Sequence, residues 1–381
     1  MPQQKLQQVV TLTNKSHRGL FIQFAGQGNQ YLKELRRVYL SEPATQNFIN
    51  LAISKIKDET KRCEEAGLDF YRHGMEIDRW IEKEETAPPF SYLLSSPVSY
   101  PLIFLTRIAN YLSLIKEGPT HPQLCHSLKG TRGFSTGIVA ALLSALNVPH
   151  PKWLERALAC QGLFVWAGAK VQECTARQNV QLELAPNEAS CMARVEGIPL
   201  FALQNALSQS SCGVELAYVL ENKRLVISAM PAQLEQFKEE LLQGHKEAKW
   251  SYILSSTAAH SAYHEPVIEP LQDEAKRLGV HFRAEELACP VYEVGEGFDL
   301  RESKDIIGKT LESFLTAKGW WPKQISLVKK GEISHVISCG PTTGIAGLTT
   351  LLTKGMDVTV FRCAVPLGRK LFAEAAAKLL I

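Results

Sequence analysis

The chain has 381 residues, 45% of them hydrophobic and 21% charged, and its 42 basic and 39 acidic side chains leave a formal net charge of +3. That length allows one large core with a smaller insert, and the near-balance of charge argues against a protein that wraps nucleic acid. Nine cysteines are scattered without a C-x-x-C pair, so neither a zinc site nor a redox pair is signalled, and the apolar runs around several of them suit buried thiols in a reducing, cytoplasmic setting.

Residues 1–19 are polar and lack the apolar stretch of a secretory signal. The apolar run 19–24 reads as a buried strand. It leads into Ala25-Gly26-Gln27-Gly28-Asn29-Gln30, where two glycines allow a sharp turn. From spacing alone an ordinary strand-end turn is the favoured reading of these glycines. Amphipathic helices are expected over 31–39 and 44–66. Residues 82–101, rich in Pro and Ser, read as a loop, and 102–116 as a buried helix. Arg107 and Asn110 interrupt the run 102–114, so no segment reaches the length of a membrane span.

The next stretch is Gly133-Phe134-Ser135-Thr136-Gly137, a G-x-S-x-G pattern. It lets a serine sit on a tight strand-to-helix turn with its hydroxyl pushed outward. The breaker-free run 138–146 can start a helix there. Such a helix offers N–H groups and a favourable dipole to a developing oxyanion. On spacing alone, a loop that simply begins a buried helix fits the pentapeptide as well. A long apolar helix follows over 151–174, with soft breaks expected at Gly162 and Gly168.

From residue 189 the pattern changes. Strand 191–195, helix 199–209, strands 214–220 and 224–229 and helix 232–243 make a βαββα run, as in a small ferredoxin-like subdomain. His260 lies in Ala258-Ala259-His260-Ser261, ahead of a helix at 266–278. A lone histidine in that position is usually structural. Strand 291–293, helix 306–315, strand 333–339, helix 345–352, strand 358–363 and helix 371–381 complete the chain. Strands alternating with helices imply a mainly parallel sheet.

These stretches, in this order, resemble the acyl-CoA:carrier-protein transacylase family. The similarity is greatest to the starter (acetyl) transferase domain of fungal-type fatty acid synthase and to the starter-unit transacylase domains of iterative polyketide synthases. Gly26-Gln27-Gly28-Asn29 is similar to the family's N-terminal G-Q-G motif. Residues 92–103, Tyr-Leu-Leu-Ser-Ser-Pro-Val-Ser-Tyr-Pro-Leu-Ile, resemble the starter domain's Y-L-L-S-x-P-x-S-x-P-L-I. Leu128-Lys129-Gly130-Thr131 resembles its L-K-G-A/T, and Ala259-His260-Ser261 the family's x-H-S. Pro290-Val291-Tyr292, Asp299-Leu300-Arg301 and Gly340-Pro341 are similar to its P-V-Y, D-L-R and G-P-G.

The resemblance implies an α/β-hydrolase-like large domain with a parallel sheet over 1–188 and 247–381, and an inserted ferredoxin-like subdomain over 189–246. It implies Ser135 as nucleophile and His260 as its base, with the imidazole oriented by a main-chain carbonyl between 314 and 317 rather than by a carboxylate. The backbone N–H groups of Gln27 and Thr136 would form the oxyanion hole. The implied reaction moves an acyl group from coenzyme A to a serine ester and on to the phosphopantetheine of an acyl carrier protein, with no metal, membrane or nucleic acid involved. Lys318, Lys323, Lys329, Lys330 and Arg132 could meet an acidic carrier. Malonyl-specific members carry an arginine where this chain has Ala167, and the family's G-H-S-x-G has histidine where this chain has Phe134. With Ala259, these residues describe an uncharged acyl pocket, for acetyl or a longer chain but not malonyl. The same residues leave open a thioester hydrolase acting on carrier proteins, transfer to a small-molecule acceptor, and a carrier-docking module without activity.

Overall fold

The computed structural model describes residues 19–27, 31–177, 190–328 and 333–379. The polar stretch 1–18, Gly28 and Asn29 of the first glycine turn, and Lys329 and Lys330 lie outside the described residues.

Five strands form a parallel sheet: β1 (Gly19–Phe24), β2 (Leu128–Gly133), β7 (Val291–Tyr292), β9 (Ile333–Ser338) and β10 (Thr359–Arg362). Their order is β10-β9-β1-β2-β7, so β1 is central. Its residues Leu20, Phe21, Ile22 and Phe24 are all buried, the near-continuous apolar run expected of a strand covered on both faces. In open sheets of this kind ligands gather beyond the carboxyl ends of the strands. The glycine turn after β1 and the serine turn after β2 therefore emerge side by side.

The helix Ser96–Glu117 starts well before residue 102 and takes in the end of the expected loop. Pro97 sits in its first turn, where an N–H has no partner to lose. Pro101 lies inside it, and its carbonyl accepts a hydrogen bond from Gln161 Nε2 at 2.9 Å. This helix is long and apolar enough to cross a membrane by length and composition, contrary to the expectation that no run reaches that length. Yet 89% of its apolar window is buried inside the protein, against Pro43–Glu65 and His150–Ala176. His150–Ala176 runs without the breaks expected at Gly162 and Gly168. At Gly168 a Cβ would lie 2.3 Å from the Ser96 carbonyl oxygen. Glycine there lets two helices touch. It does not interrupt one.

The second sheet has the order β6-β3-β5-β4-β8, built from β3 (Met192–Glu196), β4 (Glu215–Glu221), β5 (Arg224–Ser228), β6 (Lys249–Ile253) and β8 (Gly319–Trp320). Its first four strands pair antiparallel, with the helices Leu200–Gln209 and Pro231–Gly244 as crossovers, which is the ferredoxin-like arrangement. Strand β6 completes the unit past residue 246. Lys249 and Ser251 interrupt its half-exposed sequence, Lys-Trp-Ser-Tyr-Ile, and so hide it from an apolar-run search. The two-residue β8 joins β4 in parallel, Tyr218 opposite Gly319, and so pins a loop of the large unit to the small sheet. The last helix runs Pro366–Leu379, earlier than its expected start at 371.

Candidate active site

Ser135 sits where β2 ends and the helix Ile138–Ala145 begins. The turn is tight enough that only glycine serves at both flanking positions. A Cβ at Gly133 would lie 1.9 Å from the carbonyl carbon of Gly137, and one at Gly137 would lie 2.7 Å from the Phe24 carbonyl oxygen. The Phe134 N–H donates to Phe24 O at 2.9 Å, tying the turn to the end of β1. Ser135 itself holds φ at 53°, a conformation that costs a non-glycine residue on the order of 1–3 kcal/mol and persists only when the surroundings impose it.

His260 lies 125 positions later in sequence, with φ at 58°, and its Nε2 is 2.9 Å from Ser135 Oγ. Its Nδ1 is 2.7 Å from the carbonyl oxygen of Ala317. A carbonyl can only accept, so Nδ1 carries the hydrogen and Nε2 presents its lone pair to the serine hydroxyl. The ring is buried, and burial pushes the imidazole down to about 4, with the Ala317 hydrogen bond opposing the shift. It is therefore neutral at pH 7 and able to take a proton. Next to it, His264 is held at about 3, by burial first and by the neighbouring His260 second.

Gln27 follows β1. Its side-chain Nε2 donates to Ser99 Oγ at 3.2 Å. Among the described residues, neither the Gln27 N–H nor the Thr136 N–H donates to another protein group. Phe134 is half-buried and stacks on Tyr218 of β4, ring centroids 4.2 Å apart, with Trp321 at 5.5 Å. Tyr218 in turn sets its edge to His260 at 5.4 Å. Ala259 packs in the same cluster as Phe134 and Trp321, whereas Ala167 is buried in the larger core behind the helix Ser96–Glu117. The two alanines thus belong to different packing clusters. Among the described residues, no three His, Cys, Asp or Glu side chains gather in a way that could hold a metal ion.

Of the basic residues expected to meet a carrier, Arg132 does not fit. It is fully buried, its guanidinium 3.9 Å from the Trp321 ring and its Nη2 2.8 Å from Gln23 Oε1. Its β2 neighbour Thr131, on the opposite face, is equally buried, so the strand is covered on both sides here. Lys318 is exposed, and Lys323 pairs with Glu296 at 2.5 Å. Sequence reading missed Tyr218, Trp321 and Arg107. Arg107 is fully buried, and its Nη2 donates to Thr136 Oγ1 at 2.7 Å and its Nη1 to Thr136 O at 3.1 Å. The available signal was a cation in the middle of an apolar helix.

The family described as "Starter unit:ACP transacylase in aflatoxin biosynthesis" matches residues 22–264. The fatty acid synthase beta subunit aflB of Emericella nidulans is 24% identical over 372 residues, covering 88% of this chain. The chain spans only 17% of that relative's length. Among solved structures, the malonyl CoA-acyl carrier protein transacylase of Coxiella burnetii superposes with a TM-score of 0.69 at 18% identity, over 96% of this chain and 99% of that one. A malonyl-transacylase in complex with a type II polyketide synthase acyl-carrier protein gives a TM-score of 0.66 at 15% identity, over 93% of this chain and 99% of the other. At these identities the structures establish a shared fold: a large α/β unit with a ferredoxin-like subdomain.

Proposed function

Because the chain belongs to the starter unit:ACP transacylase family, we propose that it moves an uncharged acyl group from coenzyme A to the phosphopantetheine thiol of an acyl carrier protein in fatty acid or polyketide biosynthesis. The acyl group is acetyl or longer, and not malonyl. The observation that carries this reading is the contact of Ser135 Oγ with a neutral, carbonyl-oriented His260 imidazole.

In the first half-reaction Ser135 Oγ attacks the thioester carbonyl while His260 Nε2 takes its proton. The N–H groups of Gln27 and Thr136 stabilise the oxyanion. The C–S bond then breaks, and the coenzyme A sulfur leaves with the proton returned from His260. In the second half a pantetheine thiol gives its proton to His260 and attacks the serine ester. The same steps then run in reverse, and Ser135 is restored. A thioester is exchanged for a thioester, so the two sides are nearly isoenergetic, and catalysis rests on stabilising the two tetrahedral intermediates. Malonyl is excluded because a buried carboxylate needs a partner, and Ala167 offers none. The buried Arg107 is already turned to Thr136. All nine cysteines are free thiols, which supports a cytoplasmic setting.

Intact-mass spectrometry after mixing with a panel of acyl-CoAs tests the reading. Acetyl or a longer acyl adduct on Ser135, absent in Ser135→Ala, is the expected result. Malonyl loading as fast as acetyl overturns the specificity, and no loading at all overturns the transfer. Adding a phosphopantetheinylated carrier protein should shorten the lifetime of the acyl-enzyme. A lifetime unchanged by the carrier makes water the acceptor and the protein a thioester hydrolase.

A further inference from the structure

The helix Ser96–Glu117 is apolar along most of its length, yet it buries one full cation, Arg107. A buried guanidinium ordinarily has a carboxylate beside it. Among the described residues, Arg107 has none within ion-pair distance, and its Nε has no hydrogen-bond partner. Its two terminal nitrogens instead hold a single residue, Thr136, by the side-chain oxygen at 2.7 Å and the main-chain oxygen at 3.1 Å. Thr136 directly follows Ser135. Among the described residues its peptide N–H, like that of Gln27, donates to no protein group.

Two contacts on one residue constrain both its χ1 and the tilt of its carbonyl. The peptide joining Ser135 to Thr136 is then flanked by two fixed residues: Ser135, with its strained backbone, and Thr136, whose side chain and following carbonyl the guanidinium fork holds. Such preorganisation is what makes an oxyanion donor effective, because nothing has to reorient as the charge develops.

We propose that Arg107 is a positioning residue: it clamps Thr136 so that the Thr136 N–H faces the oxyanion formed at Ser135. The proposal rests on Ser135 acting as nucleophile, but not on any particular acyl donor or acceptor.

The test uses a fluorophosphonate, which needs no coenzyme A. Ser135 Oγ forms a bond to phosphorus, the P–F bond breaks, fluoride leaves and the serine proton passes to His260. The phosphoryl oxygen takes the oxyanion's place. For Arg107→Met, kinact should fall by roughly 100-fold or more while KI stays within about threefold of wild type. Arg107→Lys should recover part of the rate. Thr136→Val, which removes one of the two contacts, should lose roughly tenfold. The double variant Arg107→Met/Thr136→Val should be no slower than Arg107→Met alone, because the contact that Thr136→Val removes is already lost in Arg107→Met.

A folded Arg107→Met with the wild-type kinact, or losses that multiply in the double variant, overturns the proposal. A fall in melting temperature with unchanged kinact for the folded protein assigns Arg107 to packing alone and also overturns it. Should Arg107→Met fail to fold, Thr136→Val decides: a wild-type rate there is the overturning result. Wild-type protein that reacts with the fluorophosphonate but loads no acyl-CoA sinks the transfer reading and leaves this one standing. Wild-type protein inert to the fluorophosphonate sinks this one.

Discussion

Two of the three non-glycine residues with positive φ among the described residues are Ser135 and His260. Each lies in a conformation its side chain disfavours, and the hydrogen bond between them spans the gap. The imidazole, held at about 4 by burial, titrates well below the ordinary histidine range. A general base works only unprotonated, so single-turnover acylation should stay level from pH 8 down past 6.5 and fall as pH approaches 4. A loss centred near 6.5 would mean that the ring is solvated in the working enzyme. His260→Gln should lower acylation roughly 100- to 10,000-fold, read by stopped-flow or quenched mass spectrometry. Phe134 contributes differently. Its ring links the serine turn to Tyr218, and such a stack is worth about 0.5–1.5 kcal/mol beyond the buried area. Phe134→Ala should therefore lower stability by at least that amount in urea titration, with little change in m.

Among the elements, helix contact decides what the glycines do. At Gly168 an added methyl would meet a main-chain oxygen, which cannot step aside. At Gly162 it would meet the Cε of Lys55 at 2.9 Å, the far end of a flexible side chain. Both sit mid-helix, where alanine is intrinsically favoured over glycine by about 0.8–1 kcal/mol. Gly162→Ala should therefore be close to neutral, whereas Gly168→Ala should cost about 1–3 kcal/mol through overpacking. Denaturant midpoints compare the two directly, and equal shifts would show that Ser96 gives way. The same close approach holds the start of the helix Ser96–Glu117, whose face carries Arg107 to Thr136. Disturbing Gly168 should therefore also slow acylation.

Across the whole molecule, proton uptake by the unfolded chain governs stability in acid. His260 and His264 have folded values of about 4 and about 3, below the ordinary 6.5. Between those values the unfolded chain binds protons that the folded chain refuses, so stability falls as pH drops below 6.5. Glu59 adds a second limb. Burial alone would raise it, but hydrogen bonds from Arg277, Trp166 and Lys55 outweigh burial and hold it at about 2. Its contribution is present above 4.5 and is lost as pH falls toward 2. The melting temperature should thus decline in two stages, the first beginning near 6.5 and the second near 4.5. Glu59→Gln should shrink the second stage and leave the first unchanged; Glu286, which burial would raise but hydrogen bonds from Arg283 and Arg156 hold at about 2, keeps the remainder. A melting temperature constant from pH 7 to 5 would show that the histidines are not buried neutral. Lys170 and Arg277 both lie over the Trp166 ring, at 5.4 and 5.5 Å, which gives Lys170 a packing role on the helix that carries Ala167.

Local pattern alone determined most of the elements, because period and breakers are local: β1 at 19–24 and the helix at 306–315 were readable to the residue. The glycines around Ser135 marked a turn into a helix, but the contact that bars a side chain at Gly137, with the Phe24 carbonyl oxygen of β1, is a tertiary one. Tertiary structure decided the rest. Proximity of Ser135 to His260, the choice of Ala317 as the carbonyl, and the burial that keeps the imidazole neutral all depend on atoms far apart in the chain. So does the fate of the cations. A lysine or arginine reads alike in sequence wherever it ends up, and only packing sent Arg132 under Trp321 and Arg107 against Thr136 while leaving Lys318 in water.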